Sequence, residues 1–275
     1  MERFYGMSND YAFKAVMQQC EDVLKNLLCA LLGLELEEIV SCVITNPIIL
    51  GESIDDKTCI LDIKLILNKN RNINIELQIR KEDYWAERSL LYWARTYDDL
   101  KSGDDYEHLK PTYHIGILNF KLYDGDDEFF SDYMIMNTRN HRVYTDKFAI
   151  KILNLTNISN ASEHDDKLIH WAKIFKAKTI KELEELAGEQ EVFKNMVVEL
   201  KKLSKDEKIR QQMEARADYE SRLATARGAG YREGVEEITI KHIKGLMTKS
   251  NMSFDEACEM LSIEDIEKYR SYIIK

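Results

Sequence analysis

The sequence predicts an α/β protein: a mixed sheet flanked by helices and followed by a helical C-terminal region. Three observations carry this. Six short segments between residues 39 and 153 are rich in β-branched residues and separated by polar or glycine-containing stretches, as strands are. Helical periodicity precedes these segments and interrupts them once, which places helices against a sheet. From about residue 164 onward every signal is helical.

The elements follow in order. Residues 8–32 read as one amphipathic helix, because Phe13, Val16, Met17, Cys20, Leu24, Leu27, Leu28 and Leu31 recur three or four apart. Ser8 or Asn9 can cap it, Asp10 sits in the first turn where the helix dipole favours an acid, and Gly33 ends it. Strands are predicted over 39–50, 57–67, 72–79, 112–120, 132–137 and 147–153, with a helix over 82–101. Helices over 164–177 and 180–187 come next. A run from about 190 to 225 is then interrupted by Gly228, Gly230 and Gly234 and resumes near 235. Two short helices close the chain, with Ser253 and Ser262 as expected caps and Glu256 and Asp265 three residues on. A soft boundary near 180 divides a domain over 1–180 from a helical region over 181–275.

Composition excludes several classes. Of 275 residues, 44% are hydrophobic, enough to bury a core and too many for a disordered chain. Two prolines and 11 glycines leave no room for long linkers or low-complexity structure. No apolar run approaches the ~18 residues of a membrane span. No membrane partner is therefore expected, the N-terminal MERFYGMSNDYAFK has no secretory apolar stretch, and the cysteine usage makes a reducing cytoplasm the default. Five scattered cysteines without a C-x-x-C pair argue against disulfides or a zinc site. A net charge of −10 argues against a protein that simply coats nucleic acid.

The hairpin over 57–79 is the most informative segment. Leu61, Ile63, Leu65, Leu67, Ile73, Ile75, Leu77 and Ile79 occupy the odd positions, so one face packs into a core. Asp62, Lys64, Ile66, Asn72, Asn74, Glu76 and Gln78 occupy even positions, all polar but Ile66, and the turn Asn68–Arg71 joins the strands. Asp62 then shares a face with Glu76 and Gln78, at the ~4.5–8 Å of cross-strand neighbours. Two carboxylates at that separation need a compensating charge. A divalent cation such as Mg²⁺ supplies it in one reading; Lys64, paired with Glu76 on a solvated face, supplies it in another.

The spacing Asp62, Glu76, Gln78 resembles the active-site hairpin of PD-(D/E)XK nucleases, in particular the Rpn family of recombination-promoting nucleases and putative transposases. The segments NDYAFK (Asn9–Lys14), LDIK (Leu61–Lys64), NIELQ (Asn74–Gln78) and ERSLLYWARTY (Glu87–Tyr97) carry the resemblance. It covers roughly residues 4–150 and extends to the Gly/Arg/Glu stretch near 227–237. It implies a restriction-endonuclease-like mixed sheet and metal-dependent hydrolysis of DNA phosphodiesters, linked to recombination or mobile elements. Asp62, Glu76 and the Leu77 carbonyl are then the implied ligands of Mg²⁺, for which Mn²⁺ substitutes. Asp62, Glu76, Gln78 and the auxiliary acid Asp10 are the implied catalytic set. Gln78 stands where the superfamily generally has lysine, and a neutral amide orients water without supplying charge.

Lys14, Lys64, Tyr84, Arg88 and Tyr92 are candidate DNA contacts. The last three are spaced as one stripe of a helix, although tyrosines there also suit core packing. Lys14 could reach a phosphate but suits solvent better. Residues 201–232 hold nine Lys/Arg against five Asp/Glu, a local basic excess of four. No histidine falls in a nucleophile or H-E-x-x-H setting, and no Gly-rich phosphate loop is present. Two competing readings remain: a catalytically weak or inactive DNA- or protein-binding module that keeps the nuclease fold, and a protein acting through helical residues 180–275. That helical region is also the expected contact of a homo-oligomer.

Overall fold

The hairpin sits at the centre of a six-stranded mixed sheet. The computed structural model describes residues 4–51, 62–98, 100, 103 and 105–273. Its strands are β1 (Cys42–Ile44), β2 (Ile63–Leu67), β3 (Arg71–Gln78), β4 (Thr112–Leu118), β5 (Phe130–Tyr133) and β6 (Phe148–Asn154), in the order β1-β2-β3-β4-β6-β5. β3, β4 and β6 are mutually parallel, and the other pairings are antiparallel. The predicted strand segment 57–61, with Leu61 of the apolar face, lies outside the described residues.

The β2–β3 turn is three residues long. Asn68 and Lys69 take positive φ values of 52° and 61°, the twist that a tight hairpin needs. Asn68 suits this because its side-chain oxygen also accepts from the amides of Val40 and Ser41 at 2.9 and 3.1 Å. The register pairs Ile63 with Ile75 and Lys64 with Asn74.

The apolar face of the hairpin packs as the alternation requires. Ile63, Leu65, Leu67, Ile73 and Ile75 join Ile115 and Ile117 in the main core. Helices α1 (Asp10–Gln19), α2 (Glu21–Leu32), α4 (Asp166–Lys176), α5 (Ile180–Ala187) and α6 (Glu191–Lys205) supply its other side. The predicted helix over 8–32 is two helices, because Cys20 leaves helical geometry at φ −119°, ψ 89°. Asn9 caps α1, and Gly33 ends α2 at φ 66°.

The opposite face is covered as well, which polar even positions do not announce. Helix α3 (Trp85–Tyr97) connects the parallel strands β3 and β4, as a crossover must. It buries Trp85 against Leu118, Phe120, Phe148, Ile150 and Ile152. Gly116 makes this possible. A Cβ there would lie 2.4 Å from the Trp85 ring, so only hydrogen fits.

Two compact units emerge, over 1–217 and 218–275. The division lies 37 residues beyond the boundary expected near 180, because α5, α6 and the start of α7 (Glu207–Lys249) contribute Leu183, Phe193, Met196, Leu200 and Met213 to the main core. Gly228, Gly230 and Gly234 do not interrupt the helix as predicted; the break falls instead at Asp206. In the second unit α8 (Phe254–Met260) has the expected Ser253–Glu256 capping box. The start of α9 (Ile266–Ile273) differs from expectation. Ser262 lies at φ 54°, and Asp265 accepts from the Lys268 amide instead. Ile243, Phe254, Ala257, Cys258 and Tyr269 form this unit's own small core. Among the described residues no helix is long and apolar enough to cross a membrane.

Gly116→Ala should destabilise the protein by ~1–3 kcal/mol, the usual cost of overpacking a rigid contact. Urea unfolding measures this, and an unchanged midpoint would show that Trp85 moves freely.

Candidate active site

Asp62 immediately precedes β2, and the register that pairs Ile63 with Ile75 sets it opposite Glu76. Both side chains lie on the face beneath α3, 5% and 3% exposed. The solvated-face alternative therefore does not describe Glu76. Its partner is Arg88 from α3 and not Lys64, which is exposed.

A closed set of polar groups surrounds the two carboxylates. Asn74 Nδ2 donates to Asp62 Oδ2 at 3.3 Å and lies 3.0 Å from His114 Nδ1. With Nδ1 accepting from Asn74, the ring proton sits on Nε2. That atom lies 3.4 Å from Glu76 Oε2, within ion-pair reach but off hydrogen-bond geometry. Arg88 engages the other oxygen, Oε1, donates to Gln78 Oε1 at 3.2 Å, and engages Glu82. Glu76 Oε2, His114 Nε2, Asn74 Oδ1 and Arg88 Nε are buried without hydrogen-bond partners.

The backbone of Asp62 is gripped from another side. Lys14 Nζ donates to its carbonyl at 2.8 Å and Asn46 Nδ2 does so at 2.9 Å. Lys14 is 2% exposed, which corrects the expectation of a solvated or phosphate-facing lysine. Burial pushes its ammonium down to about 8, with Asp62 opposing and Lys64 reinforcing the shift. Burial first, and the neighbouring Glu76 charge second, push the Asp62 carboxyl up to about 7. Asn74, Arg88 and Lys64 pull it the other way.

The remaining candidates are distributed differently. Asp10 is ion-paired with Arg216 of α7, whose Nε donates to Oδ2 at 3.0 Å. That pairing also turns one of the basic residues of 201–232 inward. Tyr84 is exposed in left-handed geometry (φ 63°) just before α3, so it is not part of a helical stripe. Arg88 faces the carboxylates, and Tyr92 is half-buried with its ring 5.8 Å from the guanidinium and 6.4 Å from His114. Leu77 has a half-buried side chain on the apolar face.

Glu82 and His114 complete the cluster without having been singled out in the sequence, and Asn74, placed on the polar face by the alternation, is given no role by it. His114 enters because β4 runs parallel to β3 with His114 beside Asn74, a register that no local pattern encodes. Among the described residues no group of three or more His, Cys, Asp and Glu side chains is placed to hold a metal ion. Two carboxylates with a backbone carbonyl form a hard oxygen donor set of the sort Mg²⁺ accepts alongside water and phosphate. The unpartnered, buried Glu76 Oε2 fits that use.

The family profile of PD-(D/E)XK nuclease family transposases matches residues 7–226. The chain belongs to this family. The match spans the whole sheet, both carboxylates and α3, and agrees with the resemblance carried by the hairpin. A restriction-endonuclease-like α/β fold and a nuclease- or transposase-associated role follow from membership, and nucleases of this family typically use divalent metals. No curated protein and no solved structure matches the chain.

A folded Asp62 keeps its proton up to about pH 7, whereas an unfolded aspartate releases it near pH ~4. Between those values the folded state holds the extra proton, so stability falls as pH rises and the loss is complete above 7. In EDTA the wild-type urea midpoint should therefore decline across this window relative to Asp62→Asn. Parallel profiles for the two proteins would remove the buried, proton-holding Asp62.

Proposed function

We propose that the chain is a Mg²⁺-dependent DNA endonuclease that hydrolyses phosphodiester bonds, in a recombination-promoting or mobile-element setting. The observation that carries this reading is the burial of Asp62 and Glu76 side by side, with a Glu76 oxygen left without a partner. Two acids buried together are costly to keep, and the open Glu76 oxygen meets no donor in hydrogen-bond geometry that would account for it.

Asp62, Glu76 and the Leu77 carbonyl would hold Mg²⁺, or Mn²⁺ in its place. Bound there, such a cation lowers the pKa of a water ligand and neutralises charge on the scissile phosphate. The chain's own residues prepare the site. Lys14 and Asn46 fix the backbone at Asp62, Asn74 fixes its carboxylate, and His114 stands behind Glu76 Oε2. Gln78 accepts from Arg88 at its Oε1 and donates from its Nε2 to the Arg80 carbonyl at 3.2 Å, and the second N–H and lone pair of that held amide can orient a water. Exposed Lys64 and Tyr84 supply surface contacts for the DNA backbone. Asp10, held by Arg216, acts in this scheme by anchoring α1 and not as an acid.

The alternative, a binding module that retains the fold, has its own support. Arg88 already neutralises Glu76, and position 78 lacks a lysine. Plasmid cleavage separates the two. Supercoiled DNA should be nicked with Mg²⁺ or Mn²⁺ and not with EDTA. Glu76→Gln should lower the rate by about 100-fold or more, the several kcal/mol of a lost metal site, while circular dichroism stays unchanged. Wild-type protein that never nicks, or a mutant that nicks equally well, would favour the binding module.

Gln78→Leu keeps similar bulk and removes the amide. It should slow single-turnover cleavage about tenfold, or about 1.4 kcal/mol. An unaffected rate would take position 78 out of the chemistry.

A further inference from the structure

Arg88 is held between two acids at different depths. Its NH2 engages Glu76, whose side chain is 4% exposed, and its NH1 engages Glu82, whose side chain is 31% exposed. Glu82 lies in the segment between β3 and α3, on the way out of the site. Arg88 Nε and Glu76 Oε2 are both buried and unpartnered. A buried ion pair kept for stability alone satisfies its donors and acceptors; this one leaves one open on each side.

A guanidinium and a divalent cation cannot both occupy Glu76 at no cost, because they are like charges competing for one carboxylate. Building on the metal-site reading, we infer that Arg88 is a displaceable counter-ion: it neutralises Glu76 while the site lacks a cation, and keeps Glu82 as its one charged partner, with the Gln78 amide oxygen beside it, when a cation takes the carboxylate. The outer acid matters because the released guanidinium is never left unpaired. The Tyr92 ring, 5.8 Å from the guanidinium, offers a cation–π surface on the same helix. The arrangement keeps two buried carboxylates tolerable in the empty site and makes cation binding a substitution in place of an addition.

The two acids give the inference opposite-signed consequences. Removing the competitor should strengthen cation binding. Removing the outer acid should weaken it, because the displaced arginine then loses its remaining charged partner. Calorimetric titration with Mn²⁺ alone at pH 8 reads both, on the full chain and without any DNA. Arg88→Gln should bind Mn²⁺ about tenfold tighter, or about 1.4 kcal/mol. Glu82→Gln should bind it several-fold more weakly. Unchanged affinity in Arg88→Gln would make Arg88 a bystander, and weaker affinity would make it a group that positions Glu76; either overturns the inference. Should Arg88→Gln fail to fold, Glu82→Gln decides, and affinity equal to or above wild type overturns it. Wild-type protein that binds no Mn²⁺, or binds it as well after Glu76→Gln, overturns the metal-site reading and this inference together. Wild-type binding that depends on Glu76, without the two opposite shifts, overturns this inference alone.

Discussion

Two carboxylates buried next to one another on the same sheet face constrain everything around them. Water screens neither, and burial together with their mutual repulsion pushes Asp62 towards its neutral form. Each neighbouring feature answers part of that cost. Asn74 donates to one acid, Arg88 engages the other, and His114 stands behind the oxygen that Arg88 does not reach. Helix α3 encloses the group, and it can lie so close only because Gly116 has no side chain to meet Trp85. A sheet face that would otherwise be wetted becomes a low-dielectric chamber in which charge interactions are strong.

Much of this was legible in the sequence. The odd-position run from Ile63 to Ile75 could only be a core face, and it fixed Asp62 and Glu76 on one side of the hairpin. The motif context around them led to the family before any coordinates. The depth of the site was not legible, because polar alternation looks the same whether a strand faces solvent or a polar chamber beneath a helix. His114 and Lys14 were unreadable for a related reason. Their neighbours come from parallel pairing and helix packing across 40 and 48 positions, where no periodicity connects the partners. Asn9 and Asp10 show the converse. Their capping role was visible locally, but their ties to Met213 and Arg216 were not.

The glycines of 228–234 misled for a thermodynamic reason. Each costs a helix about 1 kcal/mol relative to alanine, a local bias that neighbouring residues with high propensity can outvote. Ala226, Ala229, Arg227, Arg232 and Glu233 surround them. The break occurs at Asp206, whose side chain accepts from the amides of Lys208 and Ile209 and so starts a new helix.

The ties from α1 to α7 have a consequence for synthesis. Asn9 donates to the Met213 carbonyl and Asp10 pairs with Arg216, contacts separated by 204 and 206 positions. A ribosome delivers the N-terminus first, so the helix that anchors Asp62 through Lys14 waits for 204 to 206 further residues before its own start is secured. Until then its apolar stripe leans on α2, the sheet and, once made, α4 and α6, with its first residues still untied. The grip of Lys14 on the Asp62 backbone thus belongs to a helix whose own first residues are tied far along the chain.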